Sequence, residues 1–491
     1  SATRISTGEK AVVVPVEMRV ADYVLPDTQD YRTWVDVIEC PDTSALEYNV
    51  PLWSEKHWEM IEQSFKLIGE TGSRTVYIPL ICHTNLGNEE SMVRWIEKGE
   101  KFEYDFSIME RYLDVAEKAM GKPKLVIFVV WDHYMIPADT LADPKKMEKW
   151  DSRVFRKAQM AQSVIKEGGT LGHGPLVTVV NPETKKAEIV ELPTHYQVET
   201  SKALWKPLFA EVRSRMKKRG LEEAMMLGIM SDAWVDKEQL ELFKEVSDDA
   251  PWVIQSHEGG PGGDKRLLDV VRIGYQDVVW MVKFSDDGSD RGNQDKGKIK
   301  SLEGWKRKDL FARFSRFDCD SLTGTAWRHY VEPNITGDQR GQGRIGGDYW
   351  KVLRGKQGER GGRAHERYPE SNWRNLVIPT TLLAPGPNGP VATNRMEMFR
   401  EGIQECEARI TIEAALDDEA SREKLGPDLV KRCEEYLHKR HMTMWLSLGY
   451  SDGKWGGYQA YSHLWFVSSG WQERTAELYR LAGEVMRANK P

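Results

Sequence analysis

Along the chain, short uninterrupted apolar runs alternate with longer stretches whose apolar residues recur every three to four positions. That alternation is the signature of βα units and a mainly parallel sheet. The runs "TVYIPLI" (75–81), "KLVIFVVW" (124–131), "AMMLGIM" (224–230), "PWVIQS" (251–256), "VVWMVKF" (278–284), "LTGTAW" (322–327) and "NLVIPTTLL" (375–383) predict seven strands. A closed eight-stranded barrel needs one more. Between them, "SEKHWEMIEQSFKLIGETG" and "DFSIMERYLDVAEKAMG" carry apolar residues at helical spacing, with a Ser or Asp at the start and a Gly at the end. Further helices are predicted in "SKALWKPLFAEVRSRMKKRG", "KEQLELFKEVS" and the long "ATNRMEMFREGIQECEARITIEAAL".

Two stretches break the rhythm. "GPLVTVVNPETKKAEIVELP" has two alternating runs around a turn and predicts a hairpin inserted after the second of these strands. Residues 332–372, with "GDQRGQGRIGGD" and "RGKQGERGGRAHERYPE", are rich in Gly and Arg and read as a long loop. At the N-terminus "AVVVPVEMRVADYVLP" alternates like a β-sandwich strand, and the last seventy residues read as helices. The expected architecture is therefore α/β, a (β/α)8 TIM barrel. Residues 1–50 are its β lead-in, 51–416 the barrel with insertions near 135–200 and 332–372, and 417–491 a C-terminal helical extension.

Composition narrows the function. With 491 residues and 40% hydrophobic content the chain can bury a large core. A net charge of -7, with both signs interspersed, gives no footprint for nucleic acid. No run approaches the roughly 18–20 apolar residues of a membrane span. The chain opens on Ser1 without an apolar leader, which reads as a processed or trimmed form. Five scattered cysteines without a CxxC pair argue against a zinc knuckle or a disulfide scaffold. Trp outnumbers Phe by 18 to 13, and flat indoles suit both cores and sugar rings.

In a barrel the chemistry sits at the strand C-termini. The predicted strands end in "CHTN" (82–85), "WDHY" (131–134), "SDAW" (231–234), "HEGG" (257–260), "SDDG" (285–288), "WRHY" (327–330) with Glu332 close by, and "APGPNGP" (384–390). Tryptophan repeatedly stands beside an ionisable group, which points to a polar, aromatic-lined pocket. Glycoside hydrolysis uses such a pocket: one carboxylic acid protonates the leaving oxygen and a second carboxylate acts at the anomeric centre. Asp232, Glu258 and Asp132 are the candidate catalytic residues. Trp131, Trp234 and Trp327 would stack sugar rings, with His83, His133, His257, Arg328 and His329 binding hydroxyls or acidic substituents. An Asp directly after a strand is equally a routine helix cap. His83, Asp132, His133, His257 and His329 could instead converge on a metal, but no HxH pair supports that, and neither metal nor cofactor is expected.

"MRVADYVLPDTQDYRTW" resembles the junction between β-sandwich and barrel in glycoside hydrolase family 123 and its β-N-acetylgalactosaminidase-like relatives. "NLVIPTTLLAPGPNGPVATNRMEMFREGIQECEARI" resembles their last strand, Gly/Pro loop and long helix, with an Arg–Glu–Gly–x–Gln–Glu run. The resemblance spans roughly residues 17–416. It implies a (β/α)8 barrel, here with only a remnant of the N-terminal β-sandwich, and exo-acting glycan hydrolysis. It also implies an Asp-Glu pair at the third or fourth strand end, where Asp orients a substrate acetamido group and Glu is the acid. The matching positions here are Ser231 and Asp232. Serine cannot stabilise an oxazolinium by charge, so a substrate without acetamido participation is implied, with Asp232 as acid and Glu258 or Asp132 as partner. Non-catalytic glycan binding and a polysaccharide lyase are the competing functions. A polymeric glycan as substrate implies a secreted or periplasmic protein.

Overall fold

The structure is a computed structural model describing residues 15, 18, 20–99, 101–141, 152–230, 235, 237–255, 271–276, 301–314, 323–355, 358–371, 382–447 and 466–490. Its centre is an eight-stranded parallel sheet: β1 (Trp34–Ile38), β2 (Thr75–Pro79), β5 (Leu125–Trp131), β8 (Met225–Ile229), β9 (Trp252–Gln255), β10 (Val271–Gln276), β11 (Leu310–Phe314) and β12 (Gly341–Gly346). The spatial order β1-β12-β11-β10-β9-β8-β5-β2 is the chain order run round a circle and cut between β1 and β2. β1, β2, β5, β8 and β12 are buried along their whole length, as parallel strands covered on both faces must be.

The sheet is strongly curled. The Tyr77 hydroxyl on β2, one edge, donates to Asp36 on β1, the other edge, at 2.6 Å. Arg344 on β12 reaches the carbonyl of Met230, just past β8, at 2.9 Å. Three strands separate β12 from β8 in the sheet order. In a flat sheet that offset would be about 19 Å, far beyond the reach of an arginine.

Four of the expected strands lie in this sheet as β2, β5, β8 and β9. β1 is an addition: "WVDVI" sits in the stretch read as lead-in, so "SDAW" follows the fourth sheet strand in chain order. The Gly-rich stretch read as loop contains β12. Its glycines are what let it pair, since a Cβ on Gly341 (φ +156°) would stand 2.0 Å from the Trp34 carbonyl oxygen of β1. "LTGTAW" is corrected from strand to helix: Gly324–Arg328 is a helical turn capped by the Thr323 hydroxyl. Of "NLVIPTTLL" only the last two residues are described. Leu383 starts a two-strand hairpin outside the large sheet, Leu383–Pro385 against Pro390–Ala392. "VVWMVKF" lies outside the described residues. The sandwich-like N-terminal run pairs with no strand in its described part, where Met18 and Val20 are exposed.

The expected hairpin forms as β6 (Leu176–Val180) and β7 (Ala187–Glu191). It joins a second hairpin, β3 (Arg94–Lys98) and β4 (Lys101–Asp105), in a sheet of order β4-β3-β6-β7. This small sheet docks on the strand exits, where Leu176 accepts from the Cys82 amide at 2.7 Å and its amide donates to the Tyr134 hydroxyl.

Helices cover the outside. α1 (Pro41–Tyr48), α2 (Glu55–Gly69), α3 (Ser107–Met120), α4 (Ser152–Lys166), α5 (Val198–Lys218) and α6 (Lys237–Val246) lie between the strands. α7 (Gly324–Arg328) and α8 (Glu332–Thr336) precede β12. The long α9 (Asn394–Asp417) packs against α7, α10 (Glu419–Ser447) and α11 (Trp471–Ala488), with Tyr23, Ile412, Leu437, Leu478 and Leu481 in a second apolar core. Glu407 of α9 accepts from the Arg32 and Thr33 amides and so fixes the entry to β1.

Candidate active site at the strand exits

The exit of β2 is a tight turn. The Asn88 carbonyl accepts from the His83 amide at 2.9 Å, and the Asn88 side chain bonds the Thr84 hydroxyl and the Ile81 carbonyl. This turn holds His83 at φ +56°, a strained conformation for a residue with a side chain. It presents Asn85 to two other exits: its amide donates to Asp132 Oδ2 at 2.8 Å and its side-chain nitrogen to the Met230 carbonyl at 3.2 Å.

Asp132 follows β5 and is buried; its Oδ1 accepts from the His133 amide at 2.6 Å, capping a short 3-10 turn. Burial pushes its carboxyl up to about 7, against the pull of the two amides and the Ser371 hydroxyl, and the Glu370 charge adds to the rise. The folded state therefore binds a proton on Asp132 at pH values where the unfolded chain has released it. Its stabilising contribution is complete below the unfolded value near 4 and disappears as pH rises through about 7. Wild-type unfolding free energy is expected to fall between pH 4 and 7 relative to that of Asp132→Asn. Parallel pH profiles from urea denaturation of the two proteins would refute this.

The segment Ala364–Ser371 forms the opposite side of the site. Arg367 pins it, bonding Asp42 at 2.5 Å, Glu89 at 3.0 Å and the Gly87 carbonyl at 2.8 Å. Tyr368 stacks on His83 with ring centroids 4.2 Å apart. Glu370 lies 3.6 Å from His83 Nδ1, and both side chains keep 23% exposure. Burial works against the Glu370 charge, but the nearby His83 imidazole and its own amide hold the carboxyl below its usual range. A buried Asp132 with its carboxyl raised to about 7 and a more accessible Glu370 with its carboxyl lowered thus stand on one face, the divergence of carboxyl pKa values that acid–base sites exploit. A second carboxyl pair lies at the exits of β1 and β12: burial and mutual repulsion raise Glu39, and burial raises Asp348 to about 7. Tyr112 donates to Glu39, and the Cys40 amide and Ser64 hydroxyl donate to Asp348.

Among the sequence candidates, His83 and Asp132 meet at this face. Trp131 and His133 are adjacent but buried at 1% and 0% exposure, their rings edge to face, so Trp131 offers no free surface to a sugar. Trp327, Arg328 and His329 stand apart. Trp327 is enclosed against Tyr330 and Phe399, and His329 stacks on Phe466. Arg328 pairs with Glu405 at 2.6 Å and with Glu401. A Cβ on Gly402, between those glutamates, would meet the Arg328 carbonyl, so that glycine admits α7 against α9. Asp232, Trp234, His257 and Glu258 lie outside the described residues. Sequence reasoning missed Glu370, Tyr368 and Asn85. Among the described residues no group of three or more His, Cys, Asp or Glu is arranged to hold a metal ion, and no helix is long and apolar enough to cross a membrane.

Residues 39–253, from the exit of β1 to β9, match the family model described as glycoside hydrolase 123, catalytic domain. The chain is glycoside hydrolase family 123-like. The matched catalytic region makes it a glycosidase. His83, Asp132 and Asp232 fall inside the match, whereas Glu258 and Glu370 fall beyond it. A family 123 glycoside hydrolase from Clostridium perfringens, solved in a study of glycolipid glycan hydrolysis, is similar in fold. The TM-score is 0.57 at 13% identity, over 95% of this chain and 72% of that one. No curated protein matches the sequence.

Proposed function

We propose that this glycosidase cleaves a glycosidic bond in a polysaccharide or oligosaccharide by carboxylate acid–base catalysis, without help from a substrate acetamido group. The carrying observation is that the matched catalytic region contains the strand exits where Asp132, His83 and Asn85 gather. We further infer that the curled sheet closes as a (β/α)8 barrel. The Tyr77–Asp36 bond between its two edges supports closure. In this reading Asp232 protonates the leaving oxygen and Glu258 is the base or nucleophile. Asp132 braces the strand exits, and Glu370 and His83 hold sugar hydroxyls. A polymeric substrate would place the protein in the periplasm or outside the cell.

The test is a panel of polysaccharides and aryl glycosides scored for new reducing ends. Saturable release of reducing sugar is expected. Binding without release would make the protein a glycan-binding one, and absorbance from a new C=C bond would make it a lyase.

A further inference from the structure

The carboxylates of the β2 exit loop are neutralised by arginine. Arg367 pairs with Glu89 at 3.0 Å and with Asp42 of α1 at 2.5 Å, and Arg94 pairs with Glu90 at 2.6 Å. Glu370, on the facing segment, differs. Among the described residues no lysine or arginine pairs with it, and the cationic groups that act on its charge are His83 and His173. His83 is held at φ +56° by the β2 exit turn, a strain of the kind that gathers at functional sites. Its Nδ1 stands 3.6 Å from Glu370 Oε1, too far for a hydrogen bond and wide enough for a hydroxyl to bridge. Tyr368 stacks on the His83 ring and fixes its plane. His173 arrives from the insertion, on a loop that hangs from the turn capped by Asp132: the Gly172 amide donates to the Ile136 carbonyl at 2.8 Å and the His173 amide to the Tyr134 carbonyl at 3.1 Å. The loop lies directly on Glu370, since a Cβ on Gly169 would stand 2.7 Å from Glu370 Cα. The His173 ring is fixed at both nitrogens, Nε2 against the Thr170 hydroxyl at 2.6 Å and Nδ1 against Glu191 at 3.2 Å. The Glu370, His83 and His173 side chains all keep part of their surface exposed.

We propose that Glu370, with His83 and His173, forms a subsite that takes a neutral sugar through two adjacent hydroxyls and rejects uronic acids. The inference rests on the glycosidase reading and names a substrate class for it. A carboxylate offers two acceptor oxygens and no donor, so two neighbouring hydroxyls can each donate to it, and the imidazoles supply partners for what those hydroxyls leave unused. Hydrogen bonds to an ionised acceptor are the strong ones. The lowered Glu370 carboxyl keeps that acceptor charged at neutral pH. A uronate would instead bring its own charge against a half-buried like charge that no arginine offsets, a contact unfavourable enough to decide between ligands. A carboxylate with only a bracing role would be better served by an arginine, as Glu89 and Glu90 are.

The experiment titrates the full chain with the methyl glycosides of galactose, glucose and mannose and with the matching methyl uronides, reading binding by ligand-observed NMR. Wild type should bind at least one neutral glycoside, and the matching uronide about tenfold or more weakly. Glu370→Gln should weaken the neutral ligand about tenfold, the scale of one hydrogen bond to a charged group, and bring the two ligands to similar affinity. That loss of preference separates recognition from a structural role, because a loosened segment would weaken both ligands together. If Glu370→Gln does not fold, His83→Asn decides, since asparagine tolerates the left-handed backbone at that position. It should weaken the neutral ligand about three- to tenfold, the scale of a neutral hydrogen bond, and leave the preference over the uronide in place. The subsite is overturned if no neutral glycoside binds, if a uronide binds wild type as tightly as its neutral counterpart, if Glu370→Gln keeps the wild-type preference, or if His83→Asn binds the neutral ligand as wild type does. Binding does not depend on turnover, so a wild type that hydrolyses nothing overturns the glycosidase reading while the titration still judges the subsite.

Discussion

An Asp232→Asn variant is expected to lose about 10²- to 10⁴-fold in kcat/KM, the usual contribution of a positioned general acid, with its unfolding free energy nearly unchanged. The size of the loss should depend on the leaving group. A general acid matters most when the departing oxygen is basic, as in a natural sugar–sugar linkage, and least for an acidic phenol. Asp232→Asn should therefore nearly abolish hydrolysis of an oligosaccharide while sparing much of the activity on a nitrophenyl glycoside. Glu258→Gln, which removes the group proposed to act at the anomeric carbon, should depress both alike. Asp132→Asn supplies the contrast. Its carboxyl accepts from the Asn85 and His133 amides, so replacing one oxygen with an NH2 group disturbs the exits themselves and should lower stability along with activity. An Asp232→Asn enzyme that hydrolyses oligosaccharides at the wild-type rate would remove Asp232 from the mechanism.

The parts of this molecule that were legible in the sequence are those where burial alone dictates residue type. β2, β5 and β8 read as strands because parallel strands covered on both faces become continuous Val, Ile, Leu and Met runs. β12 was not legible, because its approach to β1 demands glycine, the residue that in isolation signals a loop. β1 was missed because Asp36, which bonds Tyr77, interrupts its apolar run. The same split holds for the site. Asp132 directly follows β5 and His83 comes four residues after the end of β2, so both could be picked out by position. Glu370 and Tyr368 come from a segment that begins well after β12 and returns only because Arg367 bonds Asp42, Glu89 and Gly87. Trp327, Arg328 and His329 misled because an aromatic beside a base looks the same whether it faces a pocket or a buried ion cluster.

That cluster predicts the largest effect on stability. Glu332 accepts from Arg440 at 2.6 and 2.8 Å and from Arg409 at 3.3 Å. Arg440 also bonds Glu405, and Arg409 bonds Glu413, which in turn accepts from Trp305 and contacts His441 at 3.0 Å. All the charged groups are buried. Burial opposes the Glu332 charge, but Arg440 and Arg409 hold its carboxyl below the usual range, and Arg409 and His441 hold Glu413 down to about 2. Glu332→Gln leaves two buried guanidinium groups short of a counter-charge and is expected to cost about 3–5 kcal/mol. The double variant Glu332→Gln/Arg440→Met should cost less than the sum of its parts, because the second change removes one of the positive charges that the first left in excess within the cluster. The depressed carboxyls fix the pH dependence: their contribution is complete above the unfolded value of about 4.5 and is lost as pH falls toward about 2. Guanidinium denaturation of the variants would read both effects, and a Glu332→Gln cost below about 1 kcal/mol would place the cluster in the class of dispensable ion pairs. The consequence for the site runs through α8, which carries Glu332 and whose Asn334 donates to Gln342 of β12 at 2.9 Å, two residues before Arg344. Because the cluster's described bonds run among its own helices and not to the strand-exit carboxyls, Glu332→Gln should reduce the amount of folded protein and leave turnover per folded molecule unchanged, the reverse of the Asp232→Asn signature.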